Sequence, residues 1–151
     1  MTHIAYFKRQ AKNLLKDYKT KTPYLDKVDG NSYYKYDPKY FDIDGILVAF
    51  DYDENDFSLM KAQHIIALLG GFDKWADLSK ASEPELELAK AIFDNPDKIN
   101  IDDWEMYIAY AERENKTTFN PESKLEILKH VFLNGEPLYP CPYRLNQGLV
   151  S

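Results

Sequence analysis

The chain has one cysteine, Cys141, so no disulfide can form within it. A lone thiol suits a reducing compartment, and the expected location is the cytoplasm. Histidine is equally scarce: His3, His64 and His130 lie far apart, at no spacing that a metal signature uses. No apolar run approaches the roughly 20 residues of a membrane span. The opening MTHIAYFKRQ lacks the apolar stretch of a secretory signal. Glycine-rich phosphate cradles are missing too, because Gly70-Gly71 is not followed by Lys-Ser/Thr. Positive charge is not in excess: 19 Lys and Arg face 25 Asp and Glu, a net charge of -6, which opposes broad affinity for nucleic acid or anionic membranes. These absences make a soluble cytoplasmic protein the default expectation; its 151 residues are enough for one domain with a sizeable core, and no cofactor is expected.

What the sequence does contain is a series of helix signals centred on residues 57–78, FSLMKAQHIIALLGGFDKWADL. Met60, Ile65, Ala67, Leu68 and Leu69 recur at helical spacing. Asp56 or Ser58 can cap the start with a side-chain oxygen, and Gly70-Gly71 can end the helix in the left-handed conformation. Phe72, Trp75 and Leu78 then repeat as one face of a short second helix. The two helices are expected to form a hairpin at the centre of the core, with Trp75 shielded from water.

The residues Gln63, Ala67, Gly71, Phe72, Trp75 and Leu78 follow the pattern Q-x3-A-x3-G-F-x2-W-x2-L. This pattern resembles a small helical module of bacterial proteins, some of them labelled glyoxalase-related. Lys8-Arg9-Gln10-Ala11-Lys12 is similar to the basic helix that often opens that module. The resemblance spans about the first half of the chain. It implies a mainly helical fold and carries no catalytic residue.

Gln63, Ala67 and Gly71 also match the first helix and turn of many helix-turn-helix DNA binders. The second helix would then present Asp73, Lys74, Asp77 and Lys80 to the groove, and its two acids would repel phosphate. A core hairpin is the leading reading of 57–80, and a DNA-associated regulator is the alternative.

Residues 4–18 read as an amphipathic helix with Ile4, Phe7, Ala11, Leu14, Leu15 and Tyr18 on one side. Lys8, Arg9, Lys12 and Lys16 occupy the other side, where they can serve as a solvated face or touch an acidic partner. Residues 24–41 read as a tyrosine-rich loop turning at Asp29-Gly30-Asn31. Its Tyr33, Tyr34, Tyr36 and Tyr40 can pin the loop to the core or form a contact surface.

Two short motifs resemble known sites and depart from them at decisive positions. Phe41-Asp42-Ile43-Asp44-Gly45-Ile46-Leu47 is similar to the nucleophile motif of haloacid-dehalogenase-type phosphatases, but Ile46 stands where Thr is expected and the preceding YKYDPKY is too polar for a buried strand. A short helix or extended segment with Ile46, Leu47 and Phe50 inward is the reading of 42–50. Asp51, Asp53, Asn55 and Asp56 imitate the start of a calcium loop, yet its sixth and twelfth positions are Asp56 and Ala62 instead of Gly and Glu.

Further helices follow. Ser82-Glu83-Pro84-Glu85 is a capping box with Pro in the first turn, leading to Leu86, Ala89, Ile92 and Phe93, and Asn95-Pro96 stops it. Another helix begins near Asp102 with Trp104, Tyr107, Ile108 and Ala111 inward. The last opens at Asn120-Pro121, carries Leu125, Leu128, Val131 and Phe132, and closes at Asn134-Gly135. The expected fold is mostly all-α: a bundle of about six helices over 1–135, and a proline-rich extended tail over 136–151.

Function is less legible than fold. A non-catalytic interaction or accessory module, binding a protein partner or a second copy, accounts for most of the distinctive residues. A small enzyme with a site assembled around His64 is a further alternative. Glu126 and His130 share a helix face but do not make a metal site on their own, and Cys141 lacks an adjacent base.

Overall fold

The computed structural model describes residues 2–138 and 143–145. Among them are seven α-helices and one two-stranded antiparallel sheet. The order is α1 (His3–Tyr18), β1 (Thr22–Leu25), β2 (Ser32–Lys35), α2 (Ile43–Ala49), α3 (Leu59–Leu69), α4 (Trp75–Lys80), α5 (Glu83–Phe93), α6 (Ile101–Glu114) and α7 (Pro121–Ile127). A π-helical turn, Leu128–Phe132, continues α7. The chain is mostly helical as expected, but the helices number seven instead of about six. No helix among the described residues is long and apolar enough to cross a membrane.

Most helix ends follow from local chemistry. The Ser58 hydroxyl accepts the Lys61 amide at 3.3 Å, so Ser58 rather than Asp56 caps α3. At the other end, the Phe72 amide donates to the Ala67 carbonyl at 2.9 Å and the Gly71 amide to Leu68 at 3.1 Å. This paired closure requires a left-handed residue, which Gly71 supplies with φ +89°. Ser82 and Glu85 form the reciprocal box at the start of α5. Asn100 and Asn120 cap α6 and α7.

The buried side chains form two clusters. The larger gathers Phe7, Ala11 and Leu14 of α1, Ile46 of α2, Ile65 and Ile66 of α3, and Leu78 of α4. The smaller gathers Trp104 and Ile108 of α6 with Leu125 and Leu128 near the end of α7. Helix α5 joins them, since Phe93 belongs to the first and Ile92 to the second. Small residues let α1 and α3 approach closely: Ala11, Ala62 and Ala67 are fully buried.

Several details differ from the sequence reading. The supposed tyrosine-rich loop is built on a β-hairpin, with Tyr24 opposite Tyr33 and Pro23 opposite Tyr34. Its turn is held by Asp26 and Asp29, whose carboxylates accept the Val28 and Asn31 amides at 2.7 and 2.8 Å. Helix α4 begins at Trp75, so Phe72 lies in the preceding turn, and Leu78 is buried deeper than Trp75. Tyr107 and Val131 are exposed instead of inward. The reason at Val131 is the π turn: the Leu133 amide reaches back five residues to Leu128 at 3.0 Å, and the widened turn rotates Val131 outward.

Candidate functional site

Helix α1 carries three distinct faces. Phe7, Ala11, Leu14 and Tyr18 enter the core, while Lys8, Arg9, Lys12 and Lys16 are all exposed on the far side. Among the described residues, none of these four cations has an ion-pair partner. The first 40 residues hold nine Lys and Arg against four Asp, and the remainder holds ten against 21 Asp and Glu. The basic stripe thus stands alone on an acidic protein, which is how a local field for an anionic partner is made.

Between core and stripe runs a polar flank of α1: Tyr6, Gln10, Asn13 and Asp17. Two of these polar residues are buried, Gln10 at 8 % and Asp17 at 3 % exposure. The Asp17 carboxylate accepts the backbone amides of Lys39, Tyr40 and Phe41 at 3.0, 2.8 and 3.0 Å. It fixes the strand-like approach to α2 against α1. Sequence reasoning passed over both, although polar residues at core-side positions of an amphipathic helix were a visible signal.

Tyr6 opens a second network that the sequence concealed. Its hydroxyl donates to Asp94, whose carboxylate also meets Lys90 Nζ at 2.7 Å and Arg144 Nη1 at 3.3 Å. Arg144 Nη1 donates to the Phe93 carbonyl at 3.0 Å, and its guanidinium lies 4.3 Å from the Phe93 ring centroid. Burial, followed by the Asp94 hydrogen bond and charge, holds the Tyr6 phenol well above the usual tyrosine range. The described part of the tail is tied down here: Asp42 donates to the Tyr143 carbonyl at 2.8 Å, and Leu145 to the Tyr40 carbonyl at 2.9 Å.

The tyrosines of the hairpin region are partly engaged. Tyr36 stacks near Tyr18 and donates to Glu54 Oε2 at 3.4 Å, and burial with the Glu54 charge raises its phenol far above its ordinary value. Tyr34 donates to Asn55 at 3.2 Å, and Tyr33 donates to Asp29. Lys21 Nζ donates to the Tyr18 hydroxyl at 2.9 Å and the Glu54 carbonyl at 3.0 Å, beneath the Tyr34 ring. These contacts latch the hairpin to the 51–56 loop. Tyr24, Tyr33 and Tyr40 keep more than a third of their surface in water, and Val28 at the turn is 96 % exposed.

The remaining candidates are structural or isolated. Ala67 is buried and Gly71 closes α3, while Gln63, Phe72 and Trp75 are half-buried around the hairpin and Leu78 is fully buried. His64 is exposed on α3; His3 meets Glu83 at 2.8 Å, and His130 meets Glu126 at 3.6 Å on an open surface. Among the described residues no three His, Cys, Asp or Glu side chains converge as metal ligands. Cys141 lies outside the described residues. Asp42, the would-be phosphatase nucleophile, caps α2 by accepting the Gly45 amide at 3.2 Å. Asp53 accepts the Asn55 amide at 2.8 Å and so shapes the acidic turn before α3.

Clefts indent the surface formed by the described residues, and three stand out. One of about 390 Å³ is mostly apolar and bounded by Leu69, Ile92, Ile99 and Arg144. A second, about 530 Å³, runs between Gly71, Trp104 and Ile108. The third, about 1020 Å³ and widely open, lies along the polar flank of α1 and is bounded opposite by Asn95, Asp97 and Glu136. No protein family, curated protein or solved structure matches the chain.

Proposed function

We propose that this protein is a non-catalytic interaction module that docks an acidic protein surface through the basic stripe of α1. The carrying observation is that Lys8, Arg9, Lys12 and Lys16 lie exposed on one helix face, with no ion pair among the described residues, in a chain of net charge -6. Solvated lysines are common, but a stripe of one sign on a protein of the other sign steers encounter with an anionic surface. A location in a bacterial cytoplasm and kinship to the helical module that Gln63–Leu78 resembles belong to the same proposal.

The DNA-regulator alternative draws on the same stripe but gains little from the hairpin. Helix α4 has only six residues, carries Asp77 in its first turn and buries Leu78. Duplex binding is therefore expected to be weak and to vanish with modest salt. An enzyme built around His64 has less to support it, since that ring borders none of the three clefts.

The test uses poly-L-glutamate as a defined acidic chain and a duplex oligonucleotide as its competitor. Native protein is expected to bind the polypeptide at low ionic strength. The triple variant K8Q/K12Q/K16Q is expected to lose that binding while keeping its melting temperature. Sequence-selective duplex binding at physiological salt would replace this reading with the DNA alternative; equal polypeptide binding by the triple variant would refute it.

A further inference from the structure

Helix α6 turns toward water a face that is both apolar and acidic. Met106 is 71 % exposed and Tyr110 59 %, while Trp104 and Ile108 on the opposite side are buried in the smaller cluster. Helical spacing brings Asp102, Asp103 and Glu114 onto the same outer face, with Glu105 at its edge. Arg113 is the single cation of this helix. Tyrosine and methionine are enriched at the centres of protein interfaces, and charged groups belong at their rims. The arrangement therefore suits a cationic partner surface.

The acids have no such partner within the fold. Among the described residues, Asp102, Glu105 and Glu114 make no ion pair. Partial desolvation, followed by the charges of Asp102 and Asp73, holds the Glu105 carboxyl above the usual carboxylate range. A cation brought to this face relieves that repulsion.

Matching cations stand on the same chain. Lys8, Lys12 and Lys16 recur at i, i+4 and i+8, a row about 12 Å long, and Asp102 to Glu114 covers about 18 Å, at a rise of about 1.5 Å per residue. Lysine stems are apolar and can lie over Met106 and the Tyr110 ring while their ammonium ends meet the acids. Both faces point into solvent from helices of different core clusters, so they meet only between copies. A symmetric pairing of two α6 faces would set acid against acid, and a pairing of two stripes would set lysine against lysine. Charge leaves the head-to-tail arrangement.

We propose, building on the docking role given to the α1 stripe, that the acidic surface it takes is the outer face of α6 on a second copy of this chain. Such a contact is heterologous and leaves one unfilled face at each end of the assembly.

The experiment is sedimentation velocity of the full chain over a range of concentrations at low ionic strength. Native protein is expected to form species larger than a monomer that grow with concentration, and to lose them at about 1 M salt, where the Debye length is about 3 Å. The variants K8Q/K12Q/K16Q and D102N/E105Q/E114Q should each sediment as monomers with melting temperatures near the native value, since all six positions are exposed. Mixed in equal amounts, they should form a one-to-one heterodimer and nothing larger, because each supplies the face that the other lacks. Tyr110→Ala should weaken self-association on the order of tenfold and leave binding of poly-L-glutamate unchanged. A native chain that binds poly-L-glutamate through the stripe yet stays monomeric at every concentration would overturn this pairing and leave the docking role standing. A chain that does neither would overturn both. A mixture that remains monomeric, or self-association retained by either triple variant, would equally refute the head-to-tail contact.

Discussion

The carboxylate of Asp17, on the last turn of α1, accepts the backbone amide of Phe41 at 3.0 Å inside the protein, 24 positions along the chain. The same carboxylate takes the amides of Lys39 and Tyr40. It thereby supplies three acceptor bonds to a stretch that belongs to neither helix nor sheet, and it places the fully buried Phe41 ring against the core. Asp17→Ala would strand those three amides beside an apolar interior. The expected cost is about 3 to 5 kcal/mol, from an orphaned-donor penalty of roughly 1 to 3 kcal/mol each with partial rehydration. Asp17→Asn keeps one acceptor oxygen and should cost about half as much. Urea unfolding of both variants checks the order, and equal stability of Asp17→Ala and the native protein would contradict the pinning role.

The Asp17 contact shows where sequence reading stops. Caps and stops that lie within a few residues of each other were legible: Ser58, the Ser82–Glu85 box, Asn120 and Gly71 all do what their local chemistry dictates. The β-hairpin was not, because four-residue strands carry too little alternation, and their pairing depends on the Asp26–Asn31 turn. The π turn after α7 was hidden for a related reason, since the apolar spacing of Leu125, Leu128 and Phe132 fits an ordinary helix equally well. Tyr6, Asp94 and Arg144 meet across 88 and 50 positions, a relationship that no local pattern encodes. Of the candidate surfaces, the α1 stripe was readable as a face, but its lack of ion pairs was not.

The Tyr6–Asp94 contact makes stability fall at alkaline pH. The Tyr6 phenol is raised in the folded state by burial and by Asp94, so the folded protein holds that proton where the unfolded chain has released it. The contribution is whole below the ordinary tyrosine value of about 10 and is lost as pH rises beyond it. Tyr36, raised by burial and Glu54, adds to the same slope. Tyr6→Phe should lower stability at neutral pH by about 1 kcal/mol, through one lost hydrogen bond, and should flatten the decline above pH of about 10. Melting temperature measured across the alkaline range is the readout, and an unchanged slope would count against the assignment.

Gly45 is constrained by the cap it follows. A Cβ built at this position would lie 2.7 Å from Asp42 Oδ2, the carboxylate that caps α2. Gly45→Ala would therefore push the capping side chain away despite alanine's better helix propensity. The propensity gain of about 1 kcal/mol is expected to be outweighed by loss of the cap and the local clash, giving net destabilisation of about 0.5 to 2 kcal/mol. Paired with Asp42→Ala, the two losses should be less than additive, because one event removes the same bond in both. Additive losses would show that the carboxylate and the glycine act independently.

The central hairpin gives a comparison between Trp75 and Leu78. Both were expected inward, but Leu78 is 0 % exposed while Trp75 is only half-buried at the edge of the larger cluster. Leu78→Ala removes a side chain surrounded on all sides, so both transfer and cavity terms apply and the cost should be about 2 to 5 kcal/mol. Trp75→Ala uncovers a surface that already touches water, and the surroundings can collapse or be wetted without leaving a sealed void. Its cost should be about 1.5 to 3 kcal/mol, below the 3 to 5 kcal/mol typical of a fully buried Trp. Chemical unfolding with Trp104 as the fluorescent reporter measures both, and Trp104 stays in the other cluster, away from either substitution. A Trp75→Ala cost under about 1 kcal/mol would mean that the ring contributes little to the core and is available as an anchor for a partner. A larger loss for Trp75→Ala than for Leu78→Ala would mean that the hairpin turns on its aromatic edge rather than on its aliphatic centre.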